Sequence, residues 1–358
     1  MTTARHTARP VATSVCIAVA SLICAACAPA PDPVASAMAT QQPVNARVLA
    51  EDTWTFNGAE GRKILTDHFR LFTTATRPKL ADRMPAFLEH GLAHYRTAIV
   101  DLPPPTTAKL DVYLMDNRPQ WQRVTRRLMG DRADTIDRIQ RGGFAARGVG
   151  VYYDIGQRDT LAIAAHEGWH QYTQRTFDES LPIWAEEGLA TYMEGFRQRD
   201  GRAVFLPWSN LERYDQLRRA HTSGTLISLD ELLAAAPEDY AGFDDERLLT
   251  YYAQVWALIH FLLEWQNGDY AGGLQQMLRD AAAGGLQARI AASFSEPEAA
   301  SAVASGRGPA ALTAYSGLSV DSLATEYRRF LDTLARPPVR NAVVAGRSPL
   351  EPGEGAVR

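Results

Sequence analysis

The sequence contains almost no cysteine. Its 358 residues include Cys16, Cys24 and Cys27, and no cysteine follows Cys27. A domain built from the remainder therefore has no disulfides and relies on a hydrophobic core, which a chain of this length can supply. A basic excess is also missing, since 37 Lys and Arg stand against 41 Asp and Glu, for a formal net charge of -4. This balance argues against a nucleic-acid-binding protein.

No internal repeat of fixed period is visible, which argues against a repeat protein. The composition is 46% apolar and 22% charged, with 9% aromatic residues. These values are typical of a globular protein and argue against a disordered or coiled-coil chain. The sequence carries no indication of the oligomeric state.

Residues 1–26 have the pattern of an export signal. Arg5 and Arg9 precede an apolar run from Val11 to Ala28, which ends among small residues. A charged start, an apolar centre and a small-residue end are typical of a secretory signal peptide. The run is short for a membrane span, which needs about 20 residues. A single uncleaved anchor helix is the alternative.

The segment Cys24-Ala25-Ala26-Cys27 resembles a bacterial lipobox in which cysteine replaces the usual leucine. The resemblance implies a lipid-anchored protein of the cell envelope, attached at Cys27. Ordinary signal cleavage, giving a secreted or periplasmic protein, is the alternative. Residues 27–47 are rich in Pro, Ala and Gln, which predicts a flexible tether.

The rest of the chain predicts an α+β fold. We expect residues 48–200 to form a part with strands and helices, 201–336 to form a helical part that completes a cleft with it, and 337–358 to form a loose tail. Alternating or β-branched segments predict strands, and apolar residues at helical spacing predict helices. The predicted strands are 63–75, 109–115 and 148–154, and the predicted helices are 79–99, or from Pro85, and 121–129, with mainly helical structure from Asp159 to about Leu334.

The motif that carries chemistry is His166-Glu167-Gly168-Trp169-His170. On a helix, residues four apart project from the same face, so both imidazoles can bind one zinc ion. Glu167 can then act as the general base on a zinc-bound water. The preceding residues are largely apolar, and polar groups set in such a helix need partners.

A catalytic zinc site usually has three protein ligands. The segment 181–195 reads LPIWAEEGLATYMEG and predicts a second helix that returns antiparallel to the first. Glu187 lies 17 positions after His170 and is followed by Gly188, which would let the two helices approach closely. Glu186 and Glu194 are competing candidates for the third ligand.

HEGWH followed by WAEEGLATYME resembles the gluzincin metallopeptidases, including their aminopeptidase-N-like branch. The resemblance implies a zincin (thermolysin-like) catalytic core, with a small sheet before the active-site helix and a mainly helical C-terminal half. It implies that His166, His170 and Glu187 bind Zn²⁺ and that Glu167 is the catalytic base. It therefore favours Glu187 over Glu186.

The segment 252–264, YAQVWALIHFLLE, resembles the downstream helix of the same aminopeptidases. In that helix a tyrosine donates a hydrogen bond to the oxyanion, and Tyr252 is the matching position. A phenol is a suitable donor to developing negative charge. The alternative is that Tyr252 or Tyr251 only packs in the core.

The Gly-Ala-Met-Glu-Asn segment that binds a free substrate amine in the aminopeptidases is missing. In its place stands GGFAARGVGVYYD. The strand at 148–153 is either an interior strand or one that pairs with an extended peptide. These features favour an endopeptidase.

The sequence therefore predicts an exported zinc metallopeptidase that acts on peptides or proteins and contacts the membrane only through its N-terminal lipid or anchor. One alternative is a non-catalytic envelope lipoprotein that binds a partner. The other is a zinc amidase acting on cell-wall peptides. Outside the motif, His90 and His94 are expected on a helix surface, and His68, His221 and His260 are expected to be isolated.

Overall fold

The computed structural model describes residues 32–41, 44–106, 109–136, 142–240, 244–295, 297–298 and 306–350. The predicted signal peptide and the cysteine at position 27 lie outside these residues. Within them, no helix has the length and apolarity needed to cross a membrane. The strands are β1 (Ala50–Phe56), β2 (Ala59–Leu65), β3 (Phe69–Thr73), β4 (Leu110–Met115), β5 (Gly143–Ala146), β6 (Val149–Tyr153), β7 (Phe196–Arg199) and β8 (Arg202–Phe205).

Helices and strands are interspersed up to β8, and the helices after β8 follow one another through the rest of the described chain. Together with the mixed sheet they give the α+β fold that the sequence predicts. The α-helices are α1 (Pro33–Thr40), α2 (Pro78–Ala81), α3 (Met84–Thr97), α4 (Arg118–Met129), α5 (Ala133–Ile136), α6 (Gln157–Thr176), α7 (Ile183–Met193), α8 (Leu211–Ser223), α9 (Leu229–Ala234), α10 (Asp245–Glu264), α11 (Ala271–Ala283), α12 (Leu286–Ser293), α13 (Ala310–Ser316), α14 (Val320–Leu334) and α15 (Val339–Ala345).

The first six strands form one mixed sheet in the order β1-β2-β3-β4-β6-β5. Strands β3, β4 and β6 are parallel, whereas β1, β2 and β5 pair antiparallel with their neighbours. Strand β6 has a neighbour on each side, so the expectation that 148–153 pairs with a peptide is wrong and the interior alternative is correct. Among the described strands, β5 is the edge strand at this end of the sheet.

Alternation along the strands directs apolar side chains to both faces of the sheet. In β4, Leu110, Val112 and Leu114 are buried against α3 and α6, as their spacing predicts. The opposite face is covered by α4, whose Trp121 packs with Val151 and Phe144 in a second, smaller core. The sheet thus supports α6 from one side.

Helix α6 extends for 20 residues without an internal proline. It begins after Gly156, whose φ of 111° is in the region that favours glycine, and it ends where Phe177 takes an extended conformation. Its apolar residues, including Leu161 and Trp169, are buried. The helix is therefore packed along its length, and the two histidines of the motif have a rigid support.

The structure corrects several predicted boundaries. The single strand predicted for 63–75 is two strands, β2 and β3, separated by a turn at which Glu89 accepts a hydrogen bond from the amide of His68 at 2.7 Å. The helix predicted for 79–99 is α3, with Pro85 in its first turn. Strand β1 was not predicted, and the β7–β8 hairpin lies in a region expected to be helical.

The two segments expected to lack structure are partly ordered. In the predicted tether, residues 33–40 form α1, and Gln41 donates a hydrogen bond to the carbonyl of Phe205 at 2.7 Å. In the predicted loose tail, residues 339–345 form α15, and Arg340 makes two 3.0 Å hydrogen bonds to Asp215. In both segments a side chain makes a hydrogen bond to a residue that is distant in the sequence. Such contacts leave no local pattern in the sequence.

Candidate metal centre

Helix α6 places the two histidines of the motif side by side. His166 and His170 are one turn apart, and their Nε2 atoms are separated by 3.2 Å. Both side chains are largely shielded from solvent, with 12% and 13% of their surface exposed. The helix therefore presents two imidazole nitrogens to one point.

Helix α7 adds a carboxylate oxygen at that point. Oε2 of Glu187 lies 3.4 Å from Nε2 of His166 and 3.7 Å from Nε2 of His170. Atoms bound to one tetrahedral zinc at about 2.0–2.1 Å are about 3.3–3.4 Å apart, so the three separations fit a shared ion. This oxygen is buried and accepts no hydrogen bond from the described residues. Two imidazoles and one carboxylate are a donor set that suits zinc.

The other nitrogen of each imidazole is bonded to a carboxylate. Nδ1 of His166 lies 2.9 Å from Glu194, and Nδ1 of His170 lies 2.8 Å from Glu186. A carboxylate accepts the Nδ1–H proton, which leaves the Nε2 lone pair directed towards Glu187. The two acids that competed for the third-ligand position in the sequence thus hold the rings in the tautomer that a metal requires.

These two outer carboxylates are themselves held in place. Glu194 accepts hydrogen bonds from Asn210 at 2.7 Å and from two nitrogens of Arg213 at 3.0 and 2.8 Å. Glu186 accepts one from Thr173 at 2.7 Å. Asn210 and Arg213 lie at the start of α8, so three helices contribute to the centre.

The buried carboxylates and imidazoles of the centre shift one another's pKa values. Burial disfavours the charged form of His166, but the carboxylates of Glu187 and Glu194 outweigh it and raise its pKa to about 9. The pKa of His170 is also raised, since Glu187 and Glu186 outweigh burial. Burial works against ionised Glu187, yet the two imidazoles hold its pKa well below the usual range. A cation is therefore favoured at this point.

Glu167 lies on the same helix between the two histidines and is partly exposed. Burial raises the pKa of its carboxyl, and the two imidazoles only partly offset that rise. A hydrogen bond from the backbone of Ala145 in β5 to this carboxylate also lowers its pKa in part. Glu167 therefore lies between the centre and the edge strand of the sheet, with an increased proton affinity.

Helix α10 brings Tyr252 to the centre. Its ring meets that of His166 edge-on, with centroids 5.9 Å apart, and the guanidinium of Arg213 lies over it at 5.1 Å. Burial, followed by the charge of Glu187, raises the pKa of its phenol well above the usual value. Tyr251 instead points into the core, where its hydroxyl donates to the carbonyl of Ala235 at 3.4 Å. Of the two tyrosines, Tyr252 is the one whose ring contacts a histidine of the centre.

Two glycines beside the functional residues allow close packing. A Cβ at Gly188 would lie 2.8 Å from Ile259 and 2.9 Å from the carbonyl oxygen of Val255. Gly188 therefore brings α7 against α10, and the expectation that it brings α7 against the histidine helix is wrong. Gly168 leaves room for Tyr95, whose hydroxyl donates to the carbonyl of Ala165 at 3.0 Å.

The histidines outside the motif differ from their predicted roles. His90 is 8% exposed rather than on the surface. His94 stacks on Phe205 with centroids 4.5 Å apart, and burial lowers its pKa to about 3. The three histidines expected to be isolated each contact an acid: His68 with Glu89 at 2.7 Å, His221 with Asp332 at 2.8 Å and His260 with Glu264 at 2.9 Å.

Comparison with known proteins identifies one similarity that covers this centre. A family model described as a protein of unknown function (DUF1570) matches residues 160–281. This range runs from the first turn of α6 into α11, and it includes His166, His170, Glu187 and Tyr252. No curated protein matches the chain.

Proposed function

We propose that this protein is a zinc-dependent metallopeptidase of the gluzincin type. The observation that carries the proposal is the convergence of three donor atoms, from His166, His170 and Glu187, at separations of 3.2, 3.4 and 3.7 Å. Both imidazoles have their other nitrogen bonded to a carboxylate, an arrangement typical of metal-binding histidines. A zinc ion held there supplies Lewis acidity towards a carbonyl oxygen and lowers the pKa of a water.

The surrounding side chains have separate roles in proton transfer and in hydrogen bonding. Glu167 takes the proton of the attacking water and returns it to the leaving amine. A carboxyl whose pKa is raised by burial is suited to both steps. Tyr252 keeps its proton, since its pKa is raised, and it donates a hydrogen bond to the oxyanion. Glu186 and Glu194 hold the imidazoles in place.

A peptide is the substrate that this arrangement favours. Among the described strands, β5 pairs only with β6, and although the carbonyl of Ala145 already accepts a hydrogen bond from Gln174 at 3.2 Å, we infer that the rest of its other edge can pair with an extended chain. Ala145 of this strand lies next to Glu167. A peptide on β5 would therefore pass the catalytic base, which favours an endopeptidase over an enzyme that requires a free amino terminus.

Digestion of a mixed peptide library tests the activity. The purified full chain is expected to cleave internal bonds, to stop when a chelator is added and to resume with zinc. Glu167→Gln is the matched variant, because it keeps the shape of the side chain and is expected to retain zinc while losing hydrolysis. Retained turnover in this variant would remove Glu167 from its role. Cleavage of peptidoglycan fragments but not of the peptides would instead favour a cell-wall amidase.

Export and lipid attachment at Cys27 are part of the proposal. They are tested by fractionating cells that express the full chain or Cys27→Ser. The wild type is expected in the membrane fraction, and the variant is expected to lose the lipid. A wild-type chain without a lipid adduct would contradict the anchor and favour the secreted or periplasmic alternative.

A further inference from the structure

A pocket of about 400 Å³ lies at the beginning of α6, away from the metal ligands. The first turns of α6, strand β7 and the start of α8 line it, and it is open to solvent. Its lining contains two arginines and two glutamines but, among the described residues, no acidic side chain. The lining residues are Gln157, Arg158, Leu161, Phe196, Arg197, Gln198 and Leu211.

Arg197 is held in this pocket by neutral partners. Its guanidinium donates to the backbone carbonyls of Phe196 at 3.2 Å, Ser209 at 3.4 Å and Val344 at 3.0 Å. These bonds fix the orientation of the group without neutralising its charge. The side chain is only partly exposed, and a cation shielded from water is costly unless an anion accompanies it.

The guanidinium of Arg158 makes the charged form of Arg197 still less favourable. Burial lowers the pKa of Arg197, and the charge of Arg158 lowers it further. The neighbouring Asp159 does not line the pocket. A third guanidinium, that of Arg83, donates to Gln198 at the pocket wall. Two like charges that face one cavity are best explained by a ligand of opposite charge.

The end of α6 adds to the positive potential. This helix has 20 residues, and its N-cap residue Gly156 provides no side-chain cap. The first-turn amides and the helix dipole therefore favour negative charge at this end, part of which Asp159 in the first turn supplies. Gln157 and Gln198, whose side chains meet at 3.4 Å, supply neutral hydrogen-bonding groups beside the arginines.

We propose that this pocket binds an anionic group, a carboxylate or a phosphate, between Arg158 and Arg197. A guanidinium forms paired, charge-assisted hydrogen bonds with either group. Leu161 and Phe196 provide the apolar surface for the part of the ligand that carries the charge. The pocket needs no metal, so its occupancy does not depend on the peptidase activity.

Calorimetric titration of the full chain with inorganic phosphate and with glutarate, at low ionic strength, tests the proposal. The Glu167→Gln background prevents turnover, and each titration is done with and without zinc. Saturable binding of at least one probe is expected, with equal affinity in both metal states. A preference for phosphate would assign a phosphate ligand, and a preference for glutarate would assign a carboxylate.

Arg158→Gln is the main variant, because Arg158 is exposed and its replacement is expected to leave the fold intact. It is expected to weaken binding about tenfold or more, since a charge-assisted hydrogen bond is lost. Arg197→Gln is expected to have a larger effect. Arg199→Gln, on the same hairpin but outside the pocket, is the control and is expected to bind as the wild type does.

Three results would overturn the proposal. They are the absence of saturable binding of both probes, equal affinity in Arg158→Gln and the wild type, and binding that disappears when zinc is removed. The last result would mean that the probes bind at the metal centre. If Arg197→Gln does not fold, Arg158→Gln alone decides the outcome.

Discussion

Glu186 accepts a hydrogen bond from Nδ1 of His170 at 2.8 Å, while the next residue, Glu187, faces Nε2 of the same ring. Two consecutive carboxylates of α7 therefore lie beside the two nitrogens of one imidazole. This relationship fixes both the tautomer and the orientation of His170. It also explains why the segment contains two adjacent glutamates with different roles.

The outer carboxylates should control zinc affinity without binding the ion. Glu186→Gln and Glu194→Gln are each expected to weaken zinc binding about tenfold, and the alanine variants up to about 100-fold, because the imidazoles become less basic and less well oriented. Competition with a chromogenic chelator measures the affinity. Asp230→Asn changes an exposed acid at the start of α9 and should leave it unchanged. Wild-type affinity in both alanine variants would contradict the arrangement.

Zinc binding should release protons. The pKa of His166 is raised to about 9 and that of His170 is raised as well, so both rings favour the protonated, positively charged form more than a free imidazole does. Zinc binds only the neutral imidazole. Its apparent affinity is therefore expected to rise with pH through the raised pKa of His166, which is about 9.

Calorimetry in two buffers of different ionisation enthalpy counts these protons. The observed enthalpy of zinc binding at neutral pH should differ between the buffers, and the difference should shrink as the pH rises through the raised pKa of His166. Identical enthalpies at neutral pH would mean that the rings are already neutral, which would contradict the paired carboxylates as the cause of the raised pKa.

Tyr252 and Tyr251 form a matched pair for testing oxyanion stabilisation. Tyr252→Phe is expected to lower kcat about 100-fold and to leave zinc content unchanged, because one donor to the developing charge is lost. Tyr251→Phe removes a hydroxyl that bonds only to the carbonyl of Ala235, and its kcat should stay close to wild type. Equal rates in the two variants would remove Tyr252 from the chemistry.

Two helical glycines test the packing of α7. Gly188→Ala places a Cβ 2.8 Å from Ile259 and 2.9 Å from a backbone oxygen, so it should lower the free energy of unfolding by about 1–3 kcal/mol. Gly272→Ala in α11 meets nothing within 4 Å and should raise it by about 0.5–1 kcal/mol. Chemical denaturation of both variants gives the comparison. No loss of stability in Gly188→Ala would mean that α7 and α10 are further apart.

The helices that carry the centre were predictable because their signals are local. The four-residue spacing of His166 and His170 defines one face of a helix, and Pro182 marks the start of the next one. The connection between the two helices then allows the second helix to bring Glu187 to the histidines. The structure brings the three together in this way, while their role as metal ligands stays a prediction.

The residues that hold the imidazoles in place were not predictable from these local patterns. Nothing near Asn210 or Arg213 indicates that they hold Glu194, since this contact depends on how α8 packs against α7. The acids at 186 and 194 did have a usable signal, because each metal-binding imidazole needs an acceptor at its other nitrogen. Applied to α7 and the residue that follows it, that requirement would have assigned both.

The missed strands have a similar explanation. Strand β7 reads Phe196-Arg197-Gln198-Arg199, with little apolar alternation, and it is a strand because β8 pairs with it. In the 63–75 segment, the turn that separates β2 from β3 consists of Thr66, Asp67 and His68, with no glycine or proline to mark it. Hairpin pairing and turn position depend on contacts between strands, which propensity alone does not contain.

Metal analysis of the purified full chain tests the central claim most directly. The wild type, after dialysis against zinc and removal of the excess, is expected to retain about one zinc per chain. Glu187→Ala should retain well below one, and the surface variant Asp230→Ala should retain as much as the wild type. A wild-type chain that binds no zinc, or a Glu187→Ala chain that binds it as tightly as the wild type, would contradict the account.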